Sequence, residues 1–404
     1  MSDHVANLEL GWFKDHLLDE ILPKWLKAVT DEGLFLPHFD RKWQPLHRNF
    51  GTLVSQCRLL YNFSQGYALT GDTRYLNAVE AGSQFLLDHF RDNTYGGWYW
   101  SCGLNGEVQD RRKDSYGHAF VIFGLAHAYK CTGNKPLQDA MLHTWDVFAQ
   151  RFRDEYGGFV WRMTESFEPA DPIKSQNPIM HLFEALLSAG TVGGAPHLLD
   201  EARGVGDFVL HKLVREADRR LPEVYNEQWQ ELPPDDGAKK PTGPVTAGGR
   251  LDIGHAFEWA YLTSFAVENG LPATYLNYAN SFMLYGLALG FDWKEGGIYS
   301  PASPTGQIMT QRKGWWEQTE TIRALINFIA RYQRNDLIEP LQKSMNFVKS
   351  SFIDPEYGGW YPALEPGVSP QTLEKGNEWK LDYHIVGMCM EAIRHAEAVK
   401  AGTS

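Results

Sequence analysis

The sequence predicts an all-α fold, an (α/α)6 barrel of six inner and six outer helices with short β-hairpin-like loops on one rim. Three observations carry that expectation. A glycine-aromatic word recurs as YGGWYW (Tyr95–Trp100), YGGFVW (Tyr156–Trp161), EGGIYS (Glu295–Ser300) and YGGWYP (Tyr357–Pro362). The copies stand about sixty residues apart, with one gap about twice as long, and such fixed-period self-similarity marks a repeat architecture. Between the words, apolar residues return every three or four positions over stretches the length of amphipathic helices.

The missing copies complete the period. LPEVYNEQW (Leu221–Trp229) lies near the middle of the long gap without its glycines, and EGLFLPHFDRKW (Glu32–Trp43) fits upstream with one glycine. Twelve helical segments begin near Leu8, Asn49, Thr73, Ser115, Lys135, Pro178, Ala195, Gly254, Pro272, Gly314, Asp336 and Trp379. Gly71-Asp72 and Gly133-Asn134 close helices, and Pro272 suits a first helical turn. Each word follows an odd-numbered helix and precedes an even-numbered one. Gly-Gly lets the backbone turn through positive φ, and the aromatic run after it alternates like a short strand. After the first word, Asn105-Gly106 stands between two extended pieces, a strong hairpin signal. Six helix pairs with their loops on one rim suit closure better than an open solenoid. The chain is read as one domain, 1–404, whose one irregular stretch, Arg219–Leu251, is expected to be a long loop over the rim.

Composition narrows the class of function. A net charge of −12 argues against a nucleic-acid surface, which needs clustered cations. No apolar run is long enough to span a membrane. The N-terminus, MSDHVANLELGWF, lacks the basic and apolar regions of a signal peptide, so a cytoplasmic location is expected. Cys57, Cys102, Cys131 and Cys389 form no CxxC pair or zinc spacing and are read as free thiols. Fourteen Trp and eighteen Tyr give many ring faces, which suit stacking on the C–H faces of a sugar. A homodimer is left open.

The candidate site lies just downstream of the words. The first turns of the even-numbered helices carry Arg58, Tyr116 with His118, His181, His255 with Glu258, Trp316 with Glu317 and Glu320, and Trp379 with His384. Positions 58, 118, 181, 255, 320 and 384 follow the repeat period, so in a closed barrel they converge on the axis near one end. A core would not place a titratable ring in the same slot so often, which points to catalysis by at least two of His181, His255 and His384. His118 precedes the apolar run AFVIF and serves equally as support. Arg58 faces a polar cavity or a buried carboxylate. Glu258 lies one turn after His255 on the same face, as a structural bond or as an orienter of the ring. His-x-x-Glu is half of a carboxylate-bridged metal site, but HExxH is absent and no second such motif appears, so neither metal nor cofactor is expected.

Eight motifs, RNFGTLVSQCRLLYNFS, YGGWYW, KDSYGHAF, NPIMHLFEALL, GHAFEWAYL, GWWEQTE, YGGWYP and KGNEWKLDYH, together resemble the N-acylglucosamine 2-epimerase superfamily, from about residue 48 to 384. That superfamily also holds cellobiose 2-epimerases and the aldose–ketose isomerases of mannose and related sugars. The resemblance implies the same barrel. It implies that Arg58, His181, His255, Glu258, Trp316, Trp379 and His384 line a sugar site, with His255 and His384 as general acid/base and Tyr116 near the sugar; His118 and Glu320 are grouped with the binding residues.

The implied chemistry is cofactor-free. An open-chain aldose has a C2 hydrogen beside its carbonyl, and removing it suits an imidazole base. The enediolate needs fixed positive charge, for which Arg58 and His181 are the candidates. Returning the proton to C1 gives the ketose; returning it to C2 from the other face gives the 2-epimer. The expectation is an aldose–ketose isomerase, mannose to fructose, with a 2-epimerase of mannose, cellobiose or N-acetylglucosamine second. A glycoside hydrolase drafting Glu258, Glu317 and Glu320, or a non-catalytic sugar binder, ranks below both.

Overall fold

The computed structural model describes residues 10–233 and 248–402. Within them the chain forms twelve helical stretches in the expected order. Helix α1 begins at Leu10–Asp15 and continues through a π-helical turn, His16–Ile21, to Leu22–Trp25. It is followed by α2 (Leu53–Thr70), α3 (Thr73–Phe85), α4 (Ser115–Thr132) and α5 (Lys135–Arg151). Then come α6 (Gln176–Thr191), α7 (Leu198–Phe208), α8 (Ile253–Glu268) and α9 (Tyr275–Gly290). The last three are α10 (Trp315–Tyr332), α11 (Ile338–Phe347) and α12 (Tyr383–Gly402).

The even-numbered helices form the inner ring. Each packs on the next, α2 on α4, α4 on α6, and so on to α12, which returns to α2 and closes the circle. The odd-numbered helices lie outside, each against the inner helix before it, and α1 packs on α12 across the two chain ends. Burial follows this arrangement. The first four turns of α4 are almost wholly buried, whereas α3 buries one stripe through Tyr75, Ala78, Val79 and Gly82. Inner helices touch neighbours on most sides, so they are buried nearly all round, polar residues included.

Short strands lace the rim. Strand β1 (Phe50–Thr52) pairs with β2 (Ser101–Gly103), which pairs with β3 (Val108–Asp110) through a hairpin whose Gly106 has φ +83. Strands β4 (Lys113–Asp114) and β5 (Arg162–Met163), β6 (Lys174–Ser175) and β7 (Val224–Tyr225), and β8 (Lys313–Gly314) and β9 (Ala363–Leu364) form three more antiparallel pairs. Single bridges from Leu251 to Ala302 and from Phe39 to Gly376 complete the round. In each case residues that precede an inner helix pair with residues in or just after the next word. The rim thereby ties each repeat to its successor and the first repeat to the last.

The words are fastened by buried ion pairs. An Asp just before the word bonds the Lys that precedes the next inner helix: Asp92 with Lys113 at 2.6 Å, Asp292 with Lys313 at 2.7 Å and Asp354 with Lys375 at 3.1 Å, and likewise Asp154 with Lys174. The same Asp caps backbone N–H groups of its word, as Asp92 does for Thr94 and Tyr95. A carboxylate that accepts from ammonium and backbone together is a well-satisfied buried charge. The described part of Arg219–Leu251 is more regular than expected, since it contributes β7; residues 234–247 of that stretch lie outside the described residues.

Candidate active site

Inner helices start in a common way, and that start aims their side chains. The residue before each of four inner helices caps it: Thr52, Asp114, Ser175 and Asp252 accept from backbone N–H groups of the first turn, and Gly314 stands at the same place before α10. Six residues after these caps stand Arg58, Phe120, His181, Glu258 and Glu320, all turned toward the barrel axis. With His255, His384, Tyr116 and the two tryptophans they meet in or beneath one cavity of about 500 Å³, at the N-terminal ends of the inner helices.

Eight of the ten residues expected at the site line this cavity: Arg58, Tyr116, His181, His255, Glu258, Trp316, Trp379 and His384. Two do not. His118 lies four residues after its cap, and two residues turn a helix by ~200°, so it faces outward. Its Nδ1 meets the Asp114 carbonyl at 2.9 Å and its Nε2 accepts from the Trp98 N–H at 3.1 Å. Gln56 and Gln318, four residues after their own caps, hold Phe35 and Ile298 in the same way. His118 is thus a fastener of the word rather than a sugar contact. Glu320 is fully buried beneath the cavity, 2.7 Å from Nδ1 of His384.

Each of the three cavity histidines rests on a carboxylate. His384 meets Glu320, and His181 meets Glu184 at 3.1 Å, with the Tyr383 hydroxyl also donating to Glu184 at 3.0 Å. His255 does not use Glu258, contrary to the expectation from their shared helical face. Its Nδ1 lies 3.0 Å from Glu223, a residue of the stretch before β7 that sequence reading did not single out. The Gln176 amide donates to both oxygens of Glu223, and Trp259 Nε1 donates to the Gln176 oxygen, so the carboxylate is held from behind. With Nδ1 engaged in all three rings, Nε2 is the nitrogen left for the cavity.

The environments drive the two outermost histidines apart. Burial opposes charge on His255, but Glu223, Asp252 and Glu258 outweigh it and lift its pKa to about 10, so the ring is an imidazolium at neutral pH. Burial holds His384 well below its usual value, and the nearby positive charge of Arg58 adds to the effect, so it stays a free base. Burial also lowers His181, to about 4. Glu258 is pushed far up by burial and by the charges of Glu320 and Glu184. An acid and a base facing one cavity are the acid/base pair a proton-transfer enzyme needs.

The walls complete the site. Arg58 donates to the Trp379 carbonyl at 2.9 Å and to the Tyr116 hydroxyl at 2.6 Å, with its guanidinium over the rings of Phe120 and Tyr383. No carboxylate bonds it among the described residues, so its charge serves the cavity. Trp316 lies against two of the histidine rings, at 4.9 Å from His255 and 5.6 Å from His384 between centroids. It fits there because residue 254 is Gly: a Cβ would meet the Trp316 ring at 2.6 Å. Trp379, 42% exposed, precedes α12 rather than starting it and stands at the mouth. Arg250, Asp252, Arg312, Glu317 and Lys380 also line the cavity. Three groups of one histidine and two carboxylates are compact enough to surround a cation: His181, Glu184 and Glu258; Glu223, Asp252 and His255; Glu258, Glu320 and His384. In each, a ring nitrogen and a carboxylate are already bonded to one another.

Known proteins share this construction. The sequence is 25% identical to D-mannose isomerase from Marinomonas mediterranea, over 91% of this chain and 92% of that one. It is 23% identical to cellobiose 2-epimerase from Bacteroides fragilis, over 97% and 99% of the two chains. A crystal structure of D-mannose isomerase superposes with a TM-score of 0.88 at 24% identity, covering 95% of this chain and 97% of the other. Its barrel is the barrel described above. The sequence profile of N-acylglucosamine 2-epimerase (GlcNAc 2-epimerase) matches residues 33–388. The chain belongs to the N-acylglucosamine 2-epimerase family of sugar-converting enzymes.

Proposed function

We propose that this enzyme interconverts an aldose and its ketose, D-mannose and D-fructose, through an enediolate. The observation that carries the reading is the polarised pair: His255 charged and His384 neutral, facing one cavity and joined by one tryptophan ring. His384 Nε2 takes the C2 proton of the open-chain aldose. His255 gives a proton to the oxygen that becomes negative, and Arg58 lies beside it. A donor preorganised at that oxygen lowers the barrier by ~3–4 kcal/mol. The imidazolium of His384 then returns its proton to C1, and the ketose forms with the O2 proton lost to the His255 side. Trp316 and Trp379 stack on the sugar and keep water out.

A 2-epimerase is the second reading, and one observation favours it. The two histidines sit on α8 and α12, separate helices of the ring, so His255 can protonate C2 from the face opposite His384. The deciding experiment is NMR of the purified enzyme with mannose in D2O, without added metal. Fructose supports the isomerase, with deuterium at C1 to the extent that the proton on His384 exchanges before it is returned. Glucose with deuterium at C2 and no fructose replaces it with the epimerase. No change with mannose, cellobiose or N-acetylglucosamine refutes both.

A further inference from the structure

Beneath the cavity floor lies a cation that no step above uses. Arg323, on α10, does not line the sugar cavity. Its Nη1 stands 3.5 Å from Oε2 of Glu320 and 3.9 Å from Oε1 of Glu184. The opposite oxygens of these carboxylates hold the histidines: Oε1 of Glu320 on His384, and Oε2 of Glu184 on His181. One guanidinium therefore backs both dyads at once. The fold makes room for it, since its Cζ lies 3.8 Å from the centre of the Tyr261 ring, and a Cβ at Gly387 would meet it at 3.2 Å.

We propose that Arg323 is a positioning residue for proton transfer: it keeps Glu184 and Glu320 as acceptors, and so fixes His181 and His384 with the proton on Nδ1 and a bare Nε2 toward the sugar. Glu184, Glu258 and Glu320 converge at the axis and are all buried. Without a cation, a carboxyl so buried takes up a proton. Its O–H then donates to the imidazole Nδ1, the ring proton moves to Nε2, and the nitrogen facing C2 no longer accepts. The proton count of each dyad rises by one, taken from solvent. The proposal rests on the acid/base reading of the site, but its first test does not need turnover.

That test is nitrogen NMR of the histidine side chains in the full-length, substrate-free protein, comparing the native chain with Arg323→Met and Arg323→Lys. The native protein shows neutral His181 and His384 protonated at Nδ1. In Arg323→Met the proton moves to Nε2 on one or both rings; Arg323→Lys, which keeps the charge, retains the native pattern. Unchanged signals in folded Arg323→Met overturn the proposal, as does a switch in folded Arg323→Lys.

If Arg323→Met does not fold, the cavity at the far end of the barrel offers a second route. It has about 390 Å³ and is lined by Arg323 and Glu184 with Tyr61 and Tyr261. Arg323→Ala refolded with guanidinium regains the native tautomers, whereas urea, the same shape without charge, does not. Recovery with both, or with neither, refutes a role for the charge. Where the native enzyme converts mannose, Arg323→Met lowers kcat between ~10²- and ~10⁴-fold with KM held, since a base in the wrong tautomer loses up to ~10⁴. A native enzyme inactive on every sugar tried removes the functional reading and leaves the tautomer result standing.

Discussion

Glu223→Gln isolates the charge that sets the acid of the site. The lift of His255 from 6.5 to about 10 corresponds, at ~1.36 kcal/mol per pH unit, to about 5 kcal/mol in favour of the imidazolium. Glu223 leads the groups that raise it, ahead of Asp252 and Glu258. Assigning it half or more of that sum predicts that the amide brings the ring down by about two pH units, toward 8. Gln has the shape of Glu, so one of the two bonds from Gln176 survives and packing is preserved. The assay is the pH profile of kcat/KM for mannose. The native enzyme loses activity as pH rises through about 10, because only the protonated ring gives its proton. The variant loses it as pH rises through about 8. Stability follows the same sign: the contribution of the raised ring is complete below 6.5 and lost as pH rises through about 10. An alkaline limb that stays in place in Glu223→Gln refutes the argument that this carboxylate charges His255.

Three further outcomes are expected. His384→Asn abolishes solvent exchange of the substrate C2 hydrogen while the sugar still binds, read by deuterium incorporation beside a titration; residual exchange at the native rate would move the base elsewhere. Asp92→Asn leaves Lys113 charged and fully buried without its partner, which costs about 3–5 kcal/mol in a denaturant titration. Gly97→Ala forces a Cβ within 2.6 Å of His118 Nε2 and 2.9 Å of Phe167 at φ +70, breaking the Trp98 bond; thermal unfolding shows a loss of about 2 kcal/mol or more.

The fastening of the rim was written in the sequence in plain repeats. RDNTYGG, RDEYGG, FDWKEGG and IDPEYGG each set an Asp shortly before the glycines, and Lys113, Lys174 and Lys313 stand two residues before an inner helix, with Lys375 eight before the last. Both marks recur with the period, and their pairing needed only the closed ring. His118 was misplaced for a smaller reason. The period locates a helix start to within a residue or two, and an offset of two residues is enough to exchange the axis for the outer wall.

Glu223 was not legible in the same way. It sits in the copy that lost its glycines, beside a stretch without periodicity, and nothing local marks LPEVY as half of a dyad with a residue of α8. Arg323 was hidden for the opposite reason: on an apolar inner helix it follows Glu320 by three residues, and it reads as a local ion pair.

What the sequence determined by itself is the set of elements and the ring they make. Helical faces, caps and glycine turns are decided by residues within a few positions of one another, and six copies of one pattern place equivalent side chains at one end of an axis. What only the tertiary structure decided is the electrostatic setting of each histidine. That depends on the burial of His255 and His384 and on charges from Glu223, Glu320, Glu184 and Arg323, which different segments of the chain bring within a few ångströms. Electrostatic energy in a low-dielectric interior is set by distances through space, and a local pattern of residues does not fix those distances.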